Sequence, residues 1–173
     1  MAVDAATLRS EMSLSAASLV EPLAGFPSPA AGSLLAIDPG PEQSAWVAFT
    51  DGRPVQFAIE PNAAVLDRIA EAAVDGLAVE MIASYGMSVG AEVFDTCVCI
   101  GRFMQRWEDT HTGPVHRVYR RDVKMHLCGS ARAKDTNVRQ ALIDLYGPGK
   151  EKAIGLKASP GPLHGVKSHI WSA

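Results

Sequence analysis

Residues 33–40 read SLLAIDPG, Ser33 to Gly40, and how this stretch ends decides how the chain is understood. Ser33 to Ile37 has the composition of a buried strand, and Pro39-Gly40 stops it with a turn. A residue before proline is pushed towards extended backbone, so Asp38 is expected to close the strand and hold its carboxylate at the strand's mouth. Asp before Pro-Gly is also an ordinary turn opener, a role that needs no chemistry. What the rest of the chain places beside this acid separates the two readings.

Outward from this strand, residues 45–50 and 54–59 read as two more strands joined at the hairpin dipeptide Asp51-Gly52, so three antiparallel strands open the domain. Pro61 suits the first turn of a helix in which Val65, Leu66, Ile69, Ala73 and Val74 recur at helical spacing until Asp75-Gly76. Leu77 to Val79 is a fourth strand, and it too ends on an acid, Glu80. Val89, Val93, Cys97, Ile100, Met104 and Trp107 lie on one stripe of a long helix, expected to face the core. Residues 114–119 give a fifth strand, and a short helix over 122–128 closes at Gly129. A helix over 135–146 that Asp135 can cap stops at Gly147-Pro148. Residues 147–165 read as a loop, and in the closing VKSHIWSA Ser168 can cap a helix that barely begins. This order predicts an α/β fold whose first, fourth and fifth strands run parallel, with Asp38 and Glu80 at the same end. Two such carboxylates can hold magnesium, and two ions can clamp the attacking and leaving oxygens of a phosphodiester.

With 173 residues, 47% hydrophobic and 20% charged, the composition is that of one ordinary soluble domain. No apolar run approaches a membrane span, the N-terminus lacks a secretory pattern, and three cysteines cannot all pair, so a cytoplasmic setting without membrane is expected. Cys97 and Cys99 point apart on a helix and make no metal pair. Residues 1–32, with Pro22, Pro27 and Pro29 breaking any helix begun over 5–20, are expected to form a disordered tail. The net charge of −3 is unevenly divided: residues 1–101 carry 3 basic and 13 acidic side chains, a balance of −10, and residues 102–173 carry 13 and 6, a balance of +7. A basic half suits a polyanion, and an acidic half can supply metal-holding carboxylates.

The element order, IDPG followed by EQSAWVAF, the strand-end Glu80, the segment KMHLCGSARAKDTNVRQALIDLYG and the closing GVKSHIWSA together resemble RuvC-like Holliday junction resolvases, especially those of phages, within the RNase H-like nuclease superfamily. The likeness covers residues 33–173. It implies an RNase H-like mixed five-stranded sheet, three antiparallel strands and then parallel ones, flanked by helices. It also implies a homodimer that cuts branched DNA, such as a four-way junction, by two-metal hydrolysis with Mg2+ or Mn2+. Asp38 and Glu80 match the family's first two ligands. The other two should come from the last helix, an acid or His and then an Asp three residues on; here those positions hold His169 and Ser172. A neutral His169 can serve as a ligand, but Ser172 cannot replace a carboxylate's charge. The site is then one acid short: either ions bind less tightly, another acid contributes, or the protein binds junctions without cutting well. Asp135 is the substitute, as fourth ligand or, in the plainer reading, as helix cap. The resemblance also leads to the expectation that the domain 33–173 is a truncated form, cut within its last helix.

Arg120, Arg121, Lys124, Arg132, Lys134, Arg139 and Lys167 are the candidates for DNA binding, through phosphates rather than bases. His126 reads as a packed residue, His164 as a weak candidate for phosphate, and Tyr85 and Met87 as lining the substrate path. The helix over 89–107 is the expected dimer element. Two rivals fit less well: an actin-like ATPase needs a second nucleotide-binding half, and a helix-turn-helix over 122–146 leaves Asp38 and Glu80 unexplained.

Overall fold

The computed structural model describes residues 32–84, 86 and 88–173. The expected tail, Gly32 apart, lies outside these residues, as do Tyr85 and Met87. β1 (Ser33–Asp38), β2 (Gln43–Thr50) and β3 (Arg53–Pro61) form an antiparallel meander. Asp51 and Gly52 take φ of 50° and 70°, the left-handed pair that a two-residue hairpin turn requires. Pro61 ends β3 and caps α1 (Asn62–Glu71) rather than sitting in its first turn. β4 (Gly76–Met81), α2 (Ala91–Thr110) and β5 (Val115–Tyr119) follow. The sheet order is β3-β2-β1-β4-β5, with β4 parallel to both β1 and β5. This is the mixed five-stranded, RNase H-like sheet that the sequence predicts.

Strand alternation gives the sheet two unlike faces. Leu35, Ile37, Leu77 and Val79 pack on Val65 and Ile69 of α1 and on Cys99, Ile100, Phe103 and Trp107 of α2, which forms the main core. The buried stripe of α2 is Thr96, Cys99, Ile100, Phe103 and Trp107; Cys97 and Val89, assigned to it from spacing, are exposed. The helix is apolar on a second side as well, with Phe94 and Val98 exposed, and the predicted seam runs between the two sides.

The opposite face carries Ala36, Asp38, Ala78 and Glu80 in successive register, and later elements cover it. α3 (Arg120–Cys128) starts directly after β5, two residues earlier than its sequence pattern suggests, and ends at Gly129 with φ of 66°. α4 (Asp135–Tyr146) has Lys134 at its N-cap, whose N–H donates to Asn137 Oδ1 at 2.9 Å. Asp135 is therefore the first helical residue and not the cap. The stretch read as loop contains α5 (Lys150–Ala153) and a small ladder of β6 (Gly155–Leu156) with β7 (Ser159–Pro160), all too short to leave a periodic signal. The closing segment makes one 3-10 turn, Ser168–Trp171, preceded by Lys167; Ser168 lies inside the turn with φ of 47° and does not cap it. Ile170 anchors the turn on Ala45 and Val47.

Candidate active site

Asp38 is the last residue of β1, as its place before Pro39 dictates, and the turn after it is pinned from beneath. Ser44, almost fully buried, donates its hydroxyl to Asn62 Oδ1 at 2.7 Å and accepts the Gly40 N–H at 3.2 Å. Asn62 Nδ2 donates to the carbonyls of Gly40 at 2.9 Å and Pro41 at 3.1 Å. Gly40 itself has no room for a Cβ against the Gln43 carbonyl. Each buried polar group here is satisfied, so the turn has one geometry and the Asp38 carboxylate one position. Sequence reading missed Ser44 and Asn62, because a lone Ser and a lone Asn acquire this role only through tertiary contact.

β1 and β4 pair in parallel with Ile37 opposite Val79, which puts Asp38 and Glu80 next to each other on one face. Glu80 is not the end of its strand, since β4 runs one residue further to Met81. The two carboxyl groups are hydrogen bonded to each other. Glu80 lines a groove of about 190 Å3 whose other walls include Ala36, Ala78, Val118, Val138 and Leu142. Burial pushes Glu80 up to about 7, with the charge of Asp38 and the shared hydrogen bond acting in the same direction and Arg120 opposing. Burial also raises Asp38, against the pull of His169, Arg120 and the bond from Glu80. Near neutral pH the pair therefore holds a proton that two free carboxylates would have lost.

This has a measurable consequence without any metal. Between pH 4.5 and about 7 the folded chain keeps the Glu80 proton and the unfolded chain does not, so stability falls as pH rises through that window. Melting at pH 8 should come below melting at pH 5.5 by about 3–6 °C, a figure corresponding to about 1 kcal/mol. Glu80→Gln should remove most of that slope and raise the melting temperature at pH 8. An unchanged slope in the variant would assign the effect to other groups.

His169 sits in the closing turn, its Nδ1 3.2 Å from Asp38 Oδ2, with 73% of its side chain exposed against 15% for Asp38. Ser172, in the position where the resemblance asks for an acid, donates its N–H to the His169 carbonyl at 2.8 Å and lines the groove beside Glu80. Asp135 is turned to other partners, pairing with Arg120 Nη2 at 3.0 Å and Lys124 Nζ at 3.1 Å; both cations hold its carboxyl below the usual range. Among the described residues no group of three or more His, Cys, Asp or Glu is arranged to hold a metal ion. The set brought together is thus Asp38 with Glu80 and Asp38 with His169. Two hard carboxylate oxygens with a raised proton affinity fit one oxygen-seeking divalent cation, which would take the proton's place.

The cationic candidates divide into groups. Arg120, Arg121, Lys124 and Arg132 line one pocket at the edge of the carboxylate site. Lys134 and Lys167 are exposed, at the starts of α4 and of the closing turn. Arg139 lies with its guanidinium 4.7 Å over the Trp171 ring, which ties α4 to the turn that carries His169. His164 Nδ1 donates to the Ile154 carbonyl at 3.1 Å, a local structural bond. The influence of Arg120 on both carboxylates had no sequence signal beyond the basic cluster.

The mixed five-stranded sheet, three antiparallel strands followed by parallel ones and flanked by helices, gives the chain an RNase H-like fold. No family model and no curated protein matches it. Among solved structures it resembles Thermus thermophilus RuvC, at 18% identity and a TM-score of 0.58 over 82% of this chain and 88% of that one. It resembles equally T. thermophilus RuvC in complex with Holliday junction substrate, at 19% identity and a TM-score of 0.59 over the same shares. The chain has a RuvC-like fold.

Proposed function

We propose that this protein is a structure-selective endonuclease that cuts branched DNA, such as a four-way junction, by metal-assisted phosphodiester hydrolysis. The observation that carries the reading is the proton-sharing pair Asp38–Glu80 on a RuvC-like sheet, flanked by a basic surface. T. thermophilus RuvC is seen in complex with Holliday junction substrate, and the shared fold supports the same class of substrate for this chain. Asp38 and Glu80 would hold Mg2+ or Mn2+, which when bound supplies Lewis-acid chemistry to the phosphate. His169 orients the Asp38 carboxylate through Oδ2 and stands open to solvent, where it can join the set. Lys134, Lys167 and the pocket cations position the sugar-phosphate backbone without reading bases. Incubating the protein with a synthetic four-way junction and magnesium should give cuts that chelator abolishes, and linear duplex of the same sequence should be spared. Junction binding with no cut at any divalent ion would favour the second reading, a junction-binding protein disabled by Ser172 in place of an acid.

A resolvase needs two centres for two symmetric cuts, and the exposed side of α2 is the surface offered for a homodimer. Phe94 and Val98 are 61% and 62% exposed, one turn apart. Phe94→Glu should halve the molar mass found by sedimentation equilibrium. A mass that does not change would remove α2 as the dimer contact.

A further inference from the structure

The pocket beside the carboxylates has a volume of about 440 Å3 and is lined by Arg120, Arg121, Lys124, Ala131 and Arg132, with no acid in its wall. Four of these five residues are basic, and like charges held near one another repel unless an anion neutralises them. The anion at hand is Asp135, whose single oxygen Oδ1 bridges Arg120 Nη2 at 3.0 Å and Lys124 Nζ at 3.1 Å. The exposures are unequal: 25% for Arg120, 21% for Lys124 and 70% for Asp135. Arg120 and Lys124 are largely covered while Asp135 is open to solvent, where an ion pair contributes little and solvent can replace the acid.

We infer that this pocket is a phosphate site and that Asp135 is its built-in counter-anion, displaced when a DNA backbone phosphate enters. The inference deepens the reading of the chain as a DNA enzyme and rests on it. The bridging carboxylate oxygen marks where a phosphate oxygen would lie, since Arg and Lys accept either oxyanion at the same distance. A phosphodiester presents two non-bridging oxygens sharing one negative charge, at a site where Asp135 pairs through one oxygen only, so Arg121 and Arg132 gain a partner as well. Asp135 then sets the threshold for entry: single phosphates and weakly charged ligands compete poorly with it, while a polyanion with adjoining contacts succeeds. On this account Asp135 is neither helix cap nor metal ligand.

The test uses linear duplex DNA in chelator, so that neither metal nor junction geometry enters. Asp135→Asn should tighten binding about three- to tenfold at low salt and steepen the dependence of log K on log salt by about one phosphate contact. Lys124→Ala should weaken binding more in the Asp135→Asn background than in the parent, because in the parent Asp135 already occupies that cation. Equal or weaker binding by Asp135→Asn, or no binding by either protein, overturns the inference. So does loss of magnesium affinity in Asp135→Asn with metal-free DNA binding unchanged, which would make Asp135 a ligand. Tighter duplex binding by Asp135→Asn in a protein that cuts no junction would sustain the pocket and sink the nuclease reading.

Discussion

Asp38→Asn should lower magnesium-dependent cleavage of a four-way junction at least about a thousandfold, roughly 4 kcal/mol of transition-state stabilisation, while leaving junction affinity within about threefold. The amide keeps the shape of the carboxylate, and the pinned turn from Gly40 to Ser44 keeps its position, so the fold has no reason to change. What disappears is the negative oxygen that draws a cation to the strand's mouth. Because burial already opposes the charge on Asp38, the variant's melting temperature should not fall. Glu80→Gln should lose cleavage alike. Cleavage near the parent's rate in Asp38→Asn, on electrophoresis of labelled junction strands, would remove this acid from the chemistry.

Trp107→Ala should be the most damaging change to the fold, at about 3–5 kcal/mol. The side chain is fully buried, its Nε1 donates to the Gly113 carbonyl at 2.7 Å, and its ring stacks on His111 at 4.0 Å. His111 Nε2 in turn donates to the Ala72 carbonyl at 2.8 Å, so the indole joins the end of α2 to the chain leaving α1 and to the approach to β5. Truncation opens a cavity and leaves a partly buried carbonyl without its donor. Urea unfolding should show a midpoint shift of that size, and a loss under about 1 kcal/mol would mean that α2 is not the keystone of the core. The more conservative Trp107→Phe keeps most of the packing and should lose less.

The sheet was legible because each of its strands leaves a local mark: apolar runs bounded by Asp-Gly, Pro-Gly or an acid, with connections long enough for parallel crossovers. The carboxylate pair was legible for the same reason, since parallel register makes neighbours of an acid that ends one strand and an acid one residue short of the end of the next. Helical faces were less so. On α2 the apolar residues wrap two sides, one for the core and one for Phe94 and Val98, and spacing alone could not tell them apart. Asp135 shows the limit from the other direction. A helix-start acid reads as a cap, yet the N-cap is Lys134, whose N–H is accepted by Asn137 Oδ1, and the Asp135 carboxylate answers to Arg120 and Lys124, 15 and 11 residues back along the chain. Pairing across a turn depends on how α3 and α4 pack, which no periodicity encodes.

The claim on which the rest depends is that Asp38 and Glu80 together hold a divalent cation, and calorimetric titration with magnesium alone tests it most directly. The parent should bind the ion near neutral pH with release of part of a proton, measured in two buffers of different ionisation enthalpy, because the cation displaces the proton that Glu80 keeps up to about 7. Asp38→Asn and Glu80→Gln should each weaken that binding at least about tenfold and abolish the proton release. Equal magnesium affinity in the parent and both variants would contradict the account.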